Sequence, residues 1–192
     1  MTILSKLRPL LEPELDAVFC YCIAEVESGC RILNIRGNPT VFINPNKFKD
    51  LVANYTPLLL AKANKRVLGH NWQSYEAAYD INSKFAMLSS AYGLFQVKGE
   101  LASKLGYSTV YTFVENMRAG LEAQVDAFKR VVKYLDLAPL INANNIEDFS
   151  AIYHKNDNLP FNYQERLKKS LRSTKARLSN IANATNKENS NG

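Results

Sequence analysis

Residues 13–29 read Pro-Glu-Leu-Asp-Ala-Val-Phe-Cys-Tyr-Cys-Ile-Ala-Glu-Val-Glu-Ser-Gly. Leu15, Val18, Phe19, Cys22, Ile23 and Val26 fall at i, i+3, i+4, i+7, i+8 and i+11. That spacing is one apolar stripe of a 3.6-residue period, so it predicts an amphipathic helix from Pro13 to Glu27. Gly29 is placed to end it, because glycine takes the left-handed backbone of a helix stop at no steric cost.

Reading outward, Arg31–Arg36 and Thr40–Ile43 are short β-like runs about Gly37-Asn38-Pro39, a pattern that predicts a small hairpin. Asn44-Pro45-Asn46 breaks the second run and is suited to cap a helix through Lys47–Asn54. Residues 55–73 take no assignment. A helix is expected over 74–88, with Tyr75, Ala78, Tyr79, Asn82, Phe85 and Ala86 near one stripe. Further helices are expected over 108–119, 121–137, 147–153 and 162–180. The last dozen residues, rich in Asn, Ser, Thr and Lys, are expected to be disordered. The fold class is therefore mainly α (α+β), helical with one small β-hairpin. It is divided into a domain over 1–172 and a basic, disordered tail over 173–192.

The 192 residues are 46% apolar and 22% charged, which is globular composition and excludes a disordered or fibrous chain. Every apolar run is too short for a membrane-spanning helix. Charges and prolines interrupt the first fourteen residues, so they do not read as a signal peptide, and synthesis in the cytoplasm is expected. Cys20, Cys22 and Cys30 lack the CxxC spacing of a metal or redox site and read as thiols. The two histidines, His70 and His154, carry no recognisable motif, and neither HExxH nor a Gly-rich phosphate loop is present. No metal or other cofactor is expected. Residues 161–192 hold seven Lys and Arg against two Glu, a net +5 of the chain's +6. Such an end is either a solvated helix face with a soluble tail or a contact for an anionic wall or membrane surface. Nucleic acid is the weaker reading, because aromatic residues for base stacking are not interleaved with these charges.

Carboxylates are the remaining candidates for chemistry, and Glu27 stands out. A helix C-terminus disfavours a negative charge, and apolar neighbours disfavour it further. A carboxyl that keeps its proton is what general-acid cleavage of a glycosidic bond requires. The alternative is an exposed surface Glu.

Glu25-Val26-Glu27-Ser28-Gly29 resembles the Glu-Ser-Gly signature of the N-acetylmuramidase domains of phage endolysins, in the lysozyme-like superfamily. The likeness continues through Gly37–Ile43 with Phe48. It extends through Ser89-Ser90-Ala91-Tyr92-Gly93-Leu94-Phe95-Gln96-Val97-Lys98-Gly99, then Phe113-Val114, Met117, Gln124, Ala127 and Phe128. It ends with Phe149, Tyr153, Asn162, Tyr163 and Leu167. The ordered set spans roughly residues 15–170 and implies a lysozyme-like fold. It also implies hydrolysis of the β-1,4 bond between N-acetylmuramic acid and N-acetylglucosamine in peptidoglycan, with Glu27 as general acid. By the same resemblance the block with Ser89, Ser90, Tyr92, Gly93, Phe95 and Gln96 forms part of the sugar cleft. Gln96 would offer its amide to substrate, and Gly93 would allow close backbone approach. Phe95 and Leu94 are equally well read as core. Tyr153 matches a Tyr whose hydroxyl reaches the catalytic carboxyl, and it too is equally well read as a core residue.

The chain departs from the family pattern in three places. Asn44-Pro45-Asn46 stands where a Glu-Arg-His run is usual, Tyr153-His154-Lys155-Asn156 replaces Tyr-Asn-Gly-Pro, and Gly120-Leu121 replaces a Ser-Glu. A second carboxylate is wanted to activate water or act as nucleophile. Glu76, Asp80, Glu100 and Asp157 are the candidates. Glu25, two places from Glu27, faces elsewhere on the helix. Two alternatives follow: a lytic transglycosylase that uses the substrate's own hydroxyl, and an inactive glycan-binding or virion structural protein. The expected site of action is the bacterial cell wall, reached through holin-type lysis or as a virion component.

Overall fold

The computed structural model describes residues 2–155 and 162–189. In chain order the elements are α1 (Ile3–Leu11), α2 (Ala17–Ser28), β1 (Val41–Ile43), α3 (Pro45–Ala53), α4 (Pro57–Arg66), α5 (Trp72–Ile81) and α6 (Ser83–Leu88). They continue with β2 (Ser90–Tyr92), β3 (Val97–Lys98), α7 (Val110–Arg118), α8 (Leu121–Tyr134), α9 (Ala138–Asn142), α10 (Ile146–Tyr153) and α11 (Tyr163–Asn189). The chain divides into two compact units, one formed by residues 1–30 with 135–192, the other by residues 31–134. No helix among the described residues is long and apolar enough to cross a membrane.

In the first unit, α2 is the central element. The Asp16 carboxylate caps its start by accepting from the Phe19 N–H at 2.8 Å, which satisfies one of the helix's unpaired donors. Asn142 and Asn144, at and just beyond the end of α9, anchor the same corner. Asn142 accepts from the Asp16 N–H at 2.8 Å, and Asn144 donates to the Asp16 carboxylate at 3.2 Å. Phe19, Cys20, Cys22, Ile23 and Ala24 are fully buried. Gly29 ends α2 at φ +64, as its sequence position requires.

α11 packs along α2. Its buried positions are Tyr163, Leu167, Ser170, Leu171 and Thr174, a stripe at i, i+4, i+7, i+8 and i+11. Ser170 Oγ donates to the Glu25 carboxylate on α2, and Lys175 donates to Asn144 at 2.9 Å. The boundary expected at 172 therefore falls inside a continuous helix. The stripe carries the helix past it through small polar residues, which hydropathy does not flag.

In the second unit the expected hairpin is corrected. Residues 31–39 form only a bridge between Leu33 and Pro39. Instead β1 pairs antiparallel with β2, and β2 with β3, giving a three-stranded sheet in the order β1-β2-β3. Short runs pair with whichever edge buries them, and Val41 and Ile43 face inward while Phe42 stays partly exposed. Asn44 caps α3, with Pro45 in its first turn. The single helix expected over 74–88 is two. Asn82 is extended (φ −159), closing α5 with its N–H while its side chain accepts from the Phe85 N–H at 2.9 Å to start α6.

Candidate functional site

Glu27 lies in the last turn of α2, one residue before Ser28 closes the helix. Its side chain is 8% exposed, so the alternative of an exposed surface Glu does not hold. The Tyr163 hydroxyl donates to Glu27 Oε1 at 2.8 Å. His154 Nε2 lies 3.1 Å from the same oxygen, and the His154 side chain is 10% exposed. A buried carboxyl is tolerated only where its oxygens find hydrogen-bond partners, and here both partners converge on one oxygen.

Each group is held by its own element. Tyr163 opens α11. His154 closes α10, its N–H bonding back to the Ser150 carbonyl at 3.1 Å. The rings fix one another: Tyr153 meets His154 edge-on with centroids 5.4 Å apart, and His154 meets Tyr163 at 4.5 Å and 68°. Phe149 stacks on Tyr153 at 5.1 Å and meets Phe19 of α2 edge-on at 5.6 Å. Arg166, one turn into α11, donates to the Val26 carbonyl at 2.7 Å. It satisfies one of the free carbonyls at the end of α2 and brings a positive charge to the negative end of that helix dipole.

Burial, and then the charge of Glu27, push the Tyr163 and Tyr153 hydroxyls well above the ordinary tyrosine range. Both remain proton donors at any working pH. The resemblance assigned the hydroxyl contact to Tyr153. Tyr153 is buried with the Glu27 charge acting on it, and the Tyr163 hydroxyl is the one seen to donate to Oε1. Sequence reasoning therefore missed Tyr163 and His154 as partners of the Glu27 carboxyl. The available signal was a Tyr at the head of the buried stripe of α11 and a His in the cap of α10. Their pairing with Glu27 across 136 and 127 residues has no local pattern.

Ser89, Ser90, Tyr92, Gly93, Phe95 and Gln96 belong to the second unit. Phe95 is fully buried and stacks on Phe128 at 4.0 Å and 12°. Leu94 is fully buried as well, and Tyr92, at 1% exposure, donates its hydroxyl to that of Tyr75 at 3.2 Å. In this structure these three are core, which corrects the expectation that Tyr92 and Phe95 line a cleft. A β2–β3 turn tight enough to pair Tyr92 with Val97 turns these rings inward. Gly93 is needed for close approach, at φ +74, but what approaches it is the Gln124 amide. Gln124 is fully buried. It accepts from the Leu94 N–H at 2.7 Å and donates to the Met117 and Ile32 carbonyls at 2.9 and 3.0 Å.

Gln96 is 7% exposed and has a left-handed backbone (φ +51). Its amide donates to the carbonyls of Gly93 and Thr40 at 2.8 and 3.3 Å. Ser90 Oγ donates to the Ala86 carbonyl at 2.8 Å. Ser89 Oγ and Gln96 Oε1 are buried and take no hydrogen bond among the described residues. Among the candidate second carboxylates, Glu76 pairs with Arg36 at 3.7 Å, Asp80 with Arg66 at 3.0 Å, and Glu100 with Lys47. Asp157 lies outside the described residues. No group of three or more His, Cys, Asp or Glu side chains able to hold a metal occurs among the described residues.

A family model for N-acetylmuramidase matches residues 20–175. Among solved structures, the crystal structure of the Burkholderia AP3 phage endolysin superposes with a TM-score of 0.68 at 22% identity, covering 90% of this chain and 70% of that one. The likeness is one of fold, a mainly helical architecture with a small antiparallel sheet. No curated protein matches the chain. Because the family match spans most of its length and includes Glu27, the chain belongs to the N-acetylmuramidase family, glycoside hydrolases whose substrate is peptidoglycan.

Proposed function

We propose that the chain hydrolyses the β-1,4 bond between N-acetylmuramic acid and N-acetylglucosamine, with Glu27 as the general acid. The observation that carries this reading is the one-sided engagement of the Glu27 carboxyl. Tyr163 and His154 both meet Oε1, and Oε2 is the oxygen that carries the proton to the leaving glycosidic oxygen. As the bond breaks through an oxocarbenium-like state, the proton passes from Oε2 and Glu27 becomes a carboxylate. The Tyr163 hydrogen bond then changes from neutral to charge-assisted and strengthens at the moment charge develops.

By likeness to the AP3 phage protein, the chain acts as an endolysin, released through a lesion in the membrane or carried in the virion. The exposed Lys169, Arg172 and Arg177 of α11 add attraction to the anionic wall, which salt screens. The test is loss of turbidity of purified peptidoglycan, comparing the wild type with Glu27→Gln. The swap keeps size and polarity but has no transferable proton, so clearing is expected to drop by about two orders of magnitude or more. Equal clearing by both proteins would overturn the assignment of Glu27. New reducing ends identify hydrolysis, 1,6-anhydro ends identify a transglycosylase, and wall binding without turnover identifies an inactive glycan-binding protein.

A further inference from the structure

We infer that His154 is a positioning residue that fixes the Glu27 proton on Oε2, by holding its own ring proton on Nε2 and donating it to Oε1. The inference rests on the reading of Glu27 as the acid and adds the group that decides which oxygen delivers the proton. A carboxyl oxygen offers two acceptor positions. Tyr163 fills one position on Oε1. His154 Nε2, at 3.1 Å, faces the other. With the proton on Nε2, both positions are occupied by donors, and a proton on Glu27 is confined to Oε2. With the proton on Nδ1, a bare Nε2 would draw the carboxyl proton inward onto Oε1, away from any leaving group.

The ring has little freedom to do otherwise. Edge-on contacts with Tyr153 and Tyr163 fix its plane, and its backbone closes α10. Among the described residues, the titratable and charged groups around it are few. From α2 comes Glu27. From α11 come Tyr163 and Arg166, the latter turned to the Val26 carbonyl. From its own segment come Tyr153 and Lys155. Both tyrosines are held protonated by burial, so neither competes for the proton in question.

Two measurements test the inference. The first is nitrogen NMR of the wild-type chain labelled at histidine. Only His70 and His154 contribute, and a His70→Gln sample assigns the signals. The expected result is a neutral His154 ring protonated at Nε2. A ring protonated at Nδ1 alone overturns the inference whatever the activity assays show. The second compares His154→Leu with His154→Gln on soluble peptidoglycan fragments. Leu removes the donor, so kcat is expected to fall about tenfold with KM within about twofold, while Gln restores most of the loss. Losing a donor to the carboxylate disfavours the anion, so the alkaline limb of the Leu variant moves to higher pH and that of Gln stays near the wild type. Equal losses in both variants with an unmoved limb would reduce His154 to packing, and full activity in Leu would remove it from the site. If Glu27→Gln retains activity while the ring is protonated at Nε2, the acid assignment fails and the tautomer stands.

Discussion

Tyr163→Phe removes one oxygen from the site and leaves the ring. That oxygen donates at 2.8 Å to a carboxyl whose side chain is only 8% exposed. Water has little room to replace it. The hydrogen bond exists both before and after Glu27 gives up its proton, so its full strength does not appear in the rate. What appears is the difference between bonding a neutral acid and bonding a carboxylate. A neutral hydrogen bond contributes about 0.5–1.5 kcal/mol and one to a charged group about 1.5–3, so the difference is about 1–1.5 kcal/mol. At about 1.4 kcal/mol per factor of ten, kcat is expected to fall about five- to twelvefold, with KM little changed. Removing a donor that favours the anion also moves the alkaline limb of activity to higher pH. The assay is reducing-end release from soluble peptidoglycan fragments across pH 5–9. A variant with wild-type kcat and an unmoved limb would refute the argument. So would a loss confined to KM, which would place the hydroxyl in substrate binding.

Gln124→Leu strands one N–H and two carbonyls inside the second unit, and is expected to cost about 3–5 kcal/mol in urea unfolding. Gly93→Ala places a Cβ 2.6 Å from Gln124 Oε1 at a backbone angle alanine resists, with an expected loss of about 2–4 kcal/mol. The double variant should lose clearly less than the sum, because both disrupt the same contact. Burial, and then the charge of Glu25, raise the Cys30 thiol from 9.0 to about 11. The unfolded chain therefore releases this proton first. The associated stability is present below pH 9 and lost as pH rises through about 11. Melting temperatures between pH 8 and 11 should fall less steeply in Cys30→Ser than in the wild type, and parallel curves would refute the sign.

Legibility differed by kind of information. The stripe from Val18 to Val26 and the stop at Gly29 were readable because a helix writes its buried face at a fixed period, whereas the expected start at Pro13 falls before the helix, which Asp16 caps and Ala17 begins. The position of Glu27 at the end of that stripe was readable for the same reason. Helix α4 was missed although Thr56 and Pro57 are a good cap and first-turn pair, since Ala63 is its single fully buried side chain and the apolar period is faint. The sheet was assigned to the wrong partner because strand pairing joins residues 41–43 to 90–92, a choice no local window contains. The Gly-Leu-Phe-Gln block was recognised as a block. What its rings do, pack against Phe128 and Tyr75, depends on surfaces supplied by other helices. His154 and Tyr163 were visible as residues and invisible as partners.

The first unit is closed by both ends of the described chain, with Glu27 early and its two partners 127 and 136 residues later. Loop-closure entropy must be overcome before those contacts form, and a ribosome delivers the N-terminal segment first. While residues 31–134 emerge and collapse among themselves, α2 lacks the helix that covers Cys22 and the residues that orient its acid. The Glu27 carboxyl thus gains its partners among the last contacts of the first unit, and a chain cut short before α11 carries Glu27 without the Tyr163 hydroxyl.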